Sequence, residues 1–352
     1  MLRHLRFAKL WFANTFDALF NPRLPWTLRW RLLALQPITL LLFGLKYLPY
    51  AFSKRYTVIE IPTRGRHTVR AIVFQPPSRS DTGPRPLHLD FHGGAFLPGL
   101  AEFDAYWCEQ VSNRTGAVVV SAQYRYTPAN IYPCAHEDAE DVVSWVLEHA
   151  KSAWNADPDS LTVSGISAGA NLMMVAGTRA KAAVGFCAAI DLRLPPQEKP
   201  KPPGFPTKDP LAFLMPLFDA YAGPVRKQCM ADDRLNPVLK KLDDLPANVL
   251  LVVAGIDIVA HEQLTFIEHV RDELQERQDD NRRFEAVVFD QGFHGWIDCE
   301  LSSRHMGRKH ANCISVPVKA FEADRRKAHD AAIDFIMSPH QVSCILSSHQ
   351  VS

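Results

Sequence analysis

Paired cysteines are missing from this sequence. Its seven cysteines are scattered, with no CxxC pair and no regular spacing. That argues against a disulfide framework and for a reduced, cytoplasmic setting in which they serve as buried thiols. Charge of one sign is missing too: 39 Lys and Arg stand against 38 Asp and Glu. No global field then draws the chain to nucleic acid. The 14 histidines include no HExxH-type spacing, so neither a metal nor an organic cofactor is expected. A secretory leader is not evident, because "MLRHLRFAKLWFANTF" is basic and apolar but has no clean apolar core with a small-residue cleavage site. Long apolar runs are also scarce. The most apolar stretch, Leu32 to Leu45, falls short of the roughly 20 residues that a spanning helix needs, and Gln36 and Pro37 interrupt it. Arg23, Arg29 and Arg31 precede it and Lys46 follows. It reads as a helical cap over an apolar pocket, as an amphipathic segment on a membrane surface, or as an imperfect anchor.

From about Tyr56 the pattern becomes short apolar runs alternating with helical ones. Strands are expected at "YTVIEI", "TVRAIVFQP", Pro86 to His92, Gly116 to Tyr124, "SLTVSGIS", "AVGFCAAID", Ala247 to Asp257 and Phe284 to Gln291. Helices are expected at His136 to Ala150, at "AGANLMMVAGTRAKA" and at "EQLTFIEHVRDELQER". Such alternation predicts a mostly parallel sheet with helices on both faces, whose ligands bind at the carboxyl ends of the strands. Three segments break the pattern. Arg193 to Gly223 is rich in proline and bulky apolar residues, and reads as a lid or pocket wall. Its Phe205, Phe213, Leu214, Met215 and Phe218 are candidate wall residues. Cys299 to Val318 reads as a polar surface loop. The near-repeat "SPHQVSCILSSHQVS" at the end reads as a disordered tail over 339–352.

Gly165-Ile166-Ser167-Ala168-Gly169 follows the strand "LTVS" and opens a helix. That is the context of a nucleophile elbow, with Ser167 at its apex and the helix N-terminus offering the Ala168 N–H to an oxyanion. His92-Gly93-Gly94-Ala95-Phe96 ends an earlier strand, and its glycines let the backbone turn N–H groups toward a ligand. Gly93 and Gly94 are therefore the other oxyanion donors expected. Asp257 closes "LLVVAGID", and His294 stands in "QGFHGW" after the last strand. The order Ser, Asp, His is that of the α/β-hydrolase fold among serine hydrolases. Rivals for these roles are Asp290, Glu262 and Ser164.

With these elements the sequence resembles the hormone-sensitive-lipase-like branch of the α/β-hydrolases, which includes arylacetamide deacetylase and many microbial carboxylesterases. The resemblance covers roughly residues 56 to 338. "SAQYRYTPANIYPCAHEDAEDVVSWV" and "DDLPANVLLVVAGIDIVAHE" match further family stretches. The departures are Ala95 in place of a third glycine, Ile258-Val259 in place of Pro-Leu, His261 in place of an acid and Trp296 in place of Phe. If position 95 needs a positive φ, alanine strains the loop. The apolar N-terminal segment, residues 1–55, and the proline-rich segment, residues 193–223, are expected to form a cap over a hydrolase domain of residues 56–338. The resemblance implies hydrolysis of short-to-medium acyl esters of a small lipophilic molecule, a role often met in secondary metabolism. The alternatives are a membrane-associated lipid hydrolase or deacetylase, docked through residues 32–45, and a non-catalytic ligand-binding protein of the gibberellin-receptor kind. The last predicts a missing triad member. Oligomeric state is not legible.

Overall fold

The computed structural model describes residues 9–51, 53–77, 83–207, 212–298 and 318–337. The expected loop after Cys299 and the expected tail lie outside them. Among the described residues eight strands form one sheet in the order β1-β2-β4-β3-β5-β6-β7-β8. The strands are β1 (Tyr56–Thr63), β2 (His67–Phe74), β3 (Leu87–Phe91), β4 (Val118–Ala122), β5 (Thr162–Ile166), β6 (Ala182–Phe186), β7 (Asn248–Ile256) and β8 (Arg283–Phe293). β2 is antiparallel to both β1 and β4, and every later pairing is parallel. The main helices are α1 (Ala13–Phe20), α2 (Trp26–Ala51), α3 (Ala105–Thr115), α4 (Cys134–Trp154), α5 (Ala168–Ala176), α6 (Ala260–Arg277) and α7 (Val318–Met337).

The central strands are apolar along their length because both faces are covered. In β4, Val118 and Val120 join the core shared with α4, α5 and α6, while Val119 points to the core shared with α3 and α7. Neighbouring side chains thus feed opposite cores, as the two-residue period of a strand requires. Register then brings the carboxyl ends together: Phe91 pairs with Gly165, Ile166 with Phe186 and Phe186 with Val252. The residues that follow β3, β5, β7 and β8 therefore meet at one edge of the sheet.

Two expectations need correcting. Pro37 does not end the apolar stretch: α2 runs unbroken for 26 residues through both Pro37 and Pro49. Around Pro37, Gln36 Nε2 donates to the Trp11 carbonyl (2.8 Å) and Asn14 Nδ2 donates to Thr39 Oγ1 (2.9 Å). These bonds to the preceding segment offset the backbone bond that proline forfeits. The small-residue helix is also shorter than expected, because α5 ends at Ala176 and a 3₁₀ turn, Gly177–Arg179, follows. The proline-rich segment holds only short 3₁₀ turns and the single turn Met215–Phe218 among its described residues. It packs inward at Leu214 and Leu217, which share a buried cluster with Ala18, Leu32 and Leu97.

Candidate active site

Ser167 sits between β5 and α5 at φ 53°, ψ −113°. That lies outside the regions open to ordinary residues, and such strain persists only where the surroundings enforce it. Here the enforcing contacts are backbone ones. A methyl group at Gly169 would stand 1.9 Å from the Phe91 carbonyl oxygen, and one at Gly165 would stand 2.4 Å from the Gly169 carbonyl. The two glycines of the pentapeptide are thus explained by strand–helix contact. The Ser167 N–H donates to the Phe186 carbonyl (2.8 Å), which ties the elbow to β6.

Ser167 Oγ lies 2.8 Å from His294 Nε2, and His294 Nδ1 lies 2.8 Å from Asp257 Oδ2. The structure therefore brings the three expected residues into one chain of hydrogen bonds. With Asp257 as acceptor, the imidazole carries its proton on Nδ1 and leaves Nε2 free to take one from serine. The Asp257 side chain is fully buried, whereas that of His294 is 46% exposed on one side. Asp257 Oδ1 also accepts from the Val259 N–H (3.2 Å), which holds the carboxylate still. Burial opposes a charged His294, but the Asp257 charge and hydrogen bond outweigh it and raise the imidazole pKa above 6.5.

The loop after β3 is pinned from behind. His92 is fully buried; its Nδ1 lies 2.7 Å from the Gly93 carbonyl and its Nε2 3.0 Å from the Tyr126 hydroxyl. Its ring stacks on Tyr124, whose hydroxyl donates to the His92 carbonyl (2.9 Å). Burial lowers its pKa to about 4, so it is neutral and serves as a fixed peg. Gly94 has φ 121°, open in practice only to glycine, and Ala95 and Phe96 follow at φ 54° and 59°. The alanine that replaces the usual glycine is thus left-handed, the strain anticipated for it. Phe96 stacks on Tyr221 at 3.9 Å, the Tyr221 hydroxyl lies 2.7 Å from His136 Nδ1, and His136 Nε2 lies 2.8 Å from Asn171 Oδ1 on α5. Side chains that the sequence reading had not singled out therefore link the glycine loop to the serine helix.

The rivals are placed elsewhere. Asp290 is an exposed residue within β8. Glu262 Oε1 accepts from the Ile190 N–H (2.9 Å) and the Asp191 N–H (3.2 Å), and its other oxygen is ion-paired with the buried Lys199. Burial foremost raises the Glu262 pKa to about 7, against the opposing pull of Lys199. Ser164 belongs to a second set of Ser, His and Asp, within bonding distance but sealed in the core. Its Oγ donates to Asp90 Oδ1 (2.6 Å) and lies 2.9 Å from both His88 Nε2 and Trp107 Nε1. His88, Asp90 and Ser164 all have zero exposure, so no substrate reaches them. Burial lowers the His88 pKa to about 3, so the imidazole is neutral and the set works as a cross-strand hydrogen-bond lattice.

Among the described residues no cluster of His, Cys, Asp or Glu has the makings of a metal site. A cleft of about 1010 Å³ lies between α1 and the β1–β2 hairpin, but Ser167 and His294 are not among its walls.

Known proteins extend this picture. The chain is 37% identical over 109 residues to Esterase LipI of Mycobacterium tuberculosis, a match covering 31% of this chain and 34% of that one. It is 33% identical over 103 residues to the versiconal hemiacetal acetate esterase of Dothistroma septosporum, covering 29% and 31%. It is 26% identical over 203 residues to the gibberellin receptor GID1 of Oryza sativa, covering 54% and 57%. The first two matches thus span about a third of those proteins' lengths. Among solved structures, EstE1, a thermostable carboxylesterase cloned from a metagenomic library, superposes with a TM-score of 0.66 at 23% identity, over 87% of this chain and 97% of its own. The family model described as alpha/beta hydrolase fold matches residues 88–298, and the chain belongs to that family.

Proposed function

We propose that the protein is a serine carboxylesterase that works through an acyl-enzyme. The observation that carries this reading is the Ser167–His294–Asp257 relay at a strained elbow. In the proposed mechanism His294 Nε2 takes the Ser167 proton as Oγ attacks the ester carbonyl. Asp257 holds the imidazole in the required tautomer and stabilises the imidazolium. The N–H groups of Gly93, Gly94 and Ala168 receive the oxyanion, and losing one such donor typically costs about 3 kcal/mol of barrier. The imidazolium then protonates the departing alcohol. Water, activated by the same histidine, releases the acid and restores Ser167. These steps call on side chains, backbone and water alone.

The substrate we infer is a short-to-medium acyl ester of a small lipophilic molecule. Two names among the relatives support an acetyl group, the versiconal hemiacetal acetate esterase and the 3-O-acetylpapaveroxine carboxylesterase of Papaver somniferum. Residues 1–55 and 193–223 form the cap of this reading, over a hydrolase domain of residues 56–338. The buried cluster that Leu32 shares with Leu97, Leu214 and Leu217 supports it. The scatter of the seven cysteines, with no CxxC pair, supports a reduced, cytoplasmic setting.

Likeness to gibberellin receptors favours a second reading, a ligand-binding protein without catalysis. The intact relay speaks against it. The test is hydrolysis of p-nitrophenyl acetate, butyrate, octanoate and palmitate by the wild type and by Ser167→Ala, with the fold followed by circular dichroism. Turnover of the shorter esters, abolished in the variant, is expected. A wild type inert toward all four would favour the binding reading.

A further inference from the structure

The two N-terminal helices turn an apolar face outward. On α2 the buried residues are Leu32, Gln36, Thr39, Phe43 and Tyr50. At 100° per residue they form one stripe, and it runs along the body of the protein. Ile38, Leu41, Leu45 and Leu48 lie on the opposite side and are exposed. On α1, Asn14 and Ala18 are buried while Phe12, just before the helix, and Phe16, Leu19 and Phe20 are exposed. Trp26 and Trp30 stand exposed at the start of α2. A face of this size needs a covering partner.

Charge identifies the partner. Residues 1–59 hold nine Lys and Arg and a single acid, Asp17, a net charge of +8 in a chain whose total is +1. From Ala18 to Ile59 there is no acid at all. A basic, acid-free segment with outward aliphatic side chains and tryptophans at one end matches a bilayer with anionic headgroups. We propose that the protein docks on an anionic membrane surface through the outer face of α2, with the helix lying in the plane of the membrane.

The helix is long and apolar enough to cross a bilayer, but its attachments favour the in-plane state. Crossing would strip the inner stripe from the body. It would also break the bonds of Gln36 to the Trp11 carbonyl and the Thr15 N–H, and that of Thr39 to Asn14. The bond from Arg31 Nε to the Phe213 carbonyl (2.7 Å) would go as well. Polar groups released into hydrocarbon are costly. Because Leu32 shares a buried cluster with Leu97, just after the glycine loop, the docked helix would lie between the membrane and that loop.

The test uses the full chain and flotation with sealed phosphatidylcholine vesicles, with and without phosphatidylserine. It reads binding alone, so its outcome is independent of the esterase reading. Binding is expected to rise with phosphatidylserine and to fall with salt. The triple variant Leu41→Ser, Leu45→Ser, Leu48→Ser should lower the partition constant about tenfold or more while keeping the wild-type circular dichroism spectrum. Trypsin added outside the vesicles should reach the arginines before Trp26. Three results would overturn the proposal: equal binding by the triple variant, absence of binding, or an N-terminal fragment protected inside the vesicles, which would mean a spanning helix. A dimer in solution that the triple variant dissolves, without vesicle binding by the wild type, would instead assign the face to a second copy.

Discussion

Two serines three positions apart, Ser164 and Ser167, each lie within hydrogen-bond distance of a histidine, and their surroundings give them opposite roles. Ser164 is sealed among Asp90, His88 and Trp107, so its hydroxyl is consumed by internal bonds. Replacing it by alanine leaves buried partners unsatisfied and should cost about 1–3 kcal/mol of stability in urea unfolding. Turnover per folded molecule should stay near wild type. Ser167→Ala should do the reverse, cutting kcat by about 10³-fold or more at unchanged stability. Asp257→Asn should cost about 10⁴-fold in kcat, because the imidazole loses its tautomer.

The acid limb of activity follows from the same relay. His294 acts as a base only when neutral, and its pKa is raised above 6.5. Activity should therefore fall as pH drops through a midpoint above 6.5 in a kcat/KM profile. Stability has the opposite sign. The folded state favours protonated His294, so that contribution is complete below the unfolded pKa and is lost as pH rises through the raised one. Glu262 is among the charges that raise His294. Glu262→Gln should move the acid limb to lower pH, and an unmoved limb would remove Glu262 from the electrostatics of the site.

At the scale of elements, backbone contact decides most of the motif. Gly169→Ala drives a methyl into the Phe91 carbonyl, and Gly165→Ala drives one into the backbone of α5. Neither neighbour is a flexible side-chain end, so both variants should fail to give soluble protein. Ala95→Gly should act the other way. It relieves a left-handed alanine worth roughly 1–2 kcal/mol, against roughly 0.4–1 kcal/mol of added chain entropy. A small rise in Tm is expected, and a fall would show that the Ala95 methyl makes packing contacts that outweigh the strain.

The same scale separates what was legible in the sequence from what was not. Ser167, Asp257 and His294 stood out because each follows a strand end, where side chains leave the sheet and polarity becomes informative. His88 and Asp90 did not, since "LHLDF" reads as one apolar run and their partners Thr162, Ser164 and Ser121 sit on other strands. The helices α3 and α7 were missed because neither carries an acid in its first turn to mark its start. Pro37 misled because propensity is local, while the bonds that hold α2 together come from the segment before it.

At the scale of the whole molecule, the sheet turns sequence order into a site. Residues 92, 167, 257 and 294 are far apart in the chain, and parallel register alone brings the ends of their strands to one edge. The proline-rich segment is fastened to that edge by the buried Lys199–Glu262 pair. Lys199→Met leaves Glu262 uncompensated and should cost about 3–5 kcal/mol, read as a lower urea midpoint. Because Glu262 then keeps its proton more readily, the loss should be smaller at acid pH.

The measurement that tests the central claim most directly is covalent labelling of the folded chain with a fluorophosphonate, followed by peptide mapping by mass spectrometry. The expected result is one adduct, on Ser167, formed faster at pH 8 than at pH 6 and absent from Ser167→Ala. No adduct on the folded wild type, or an adduct on Ser164 or any other serine in place of Ser167, would contradict the esterase mechanism.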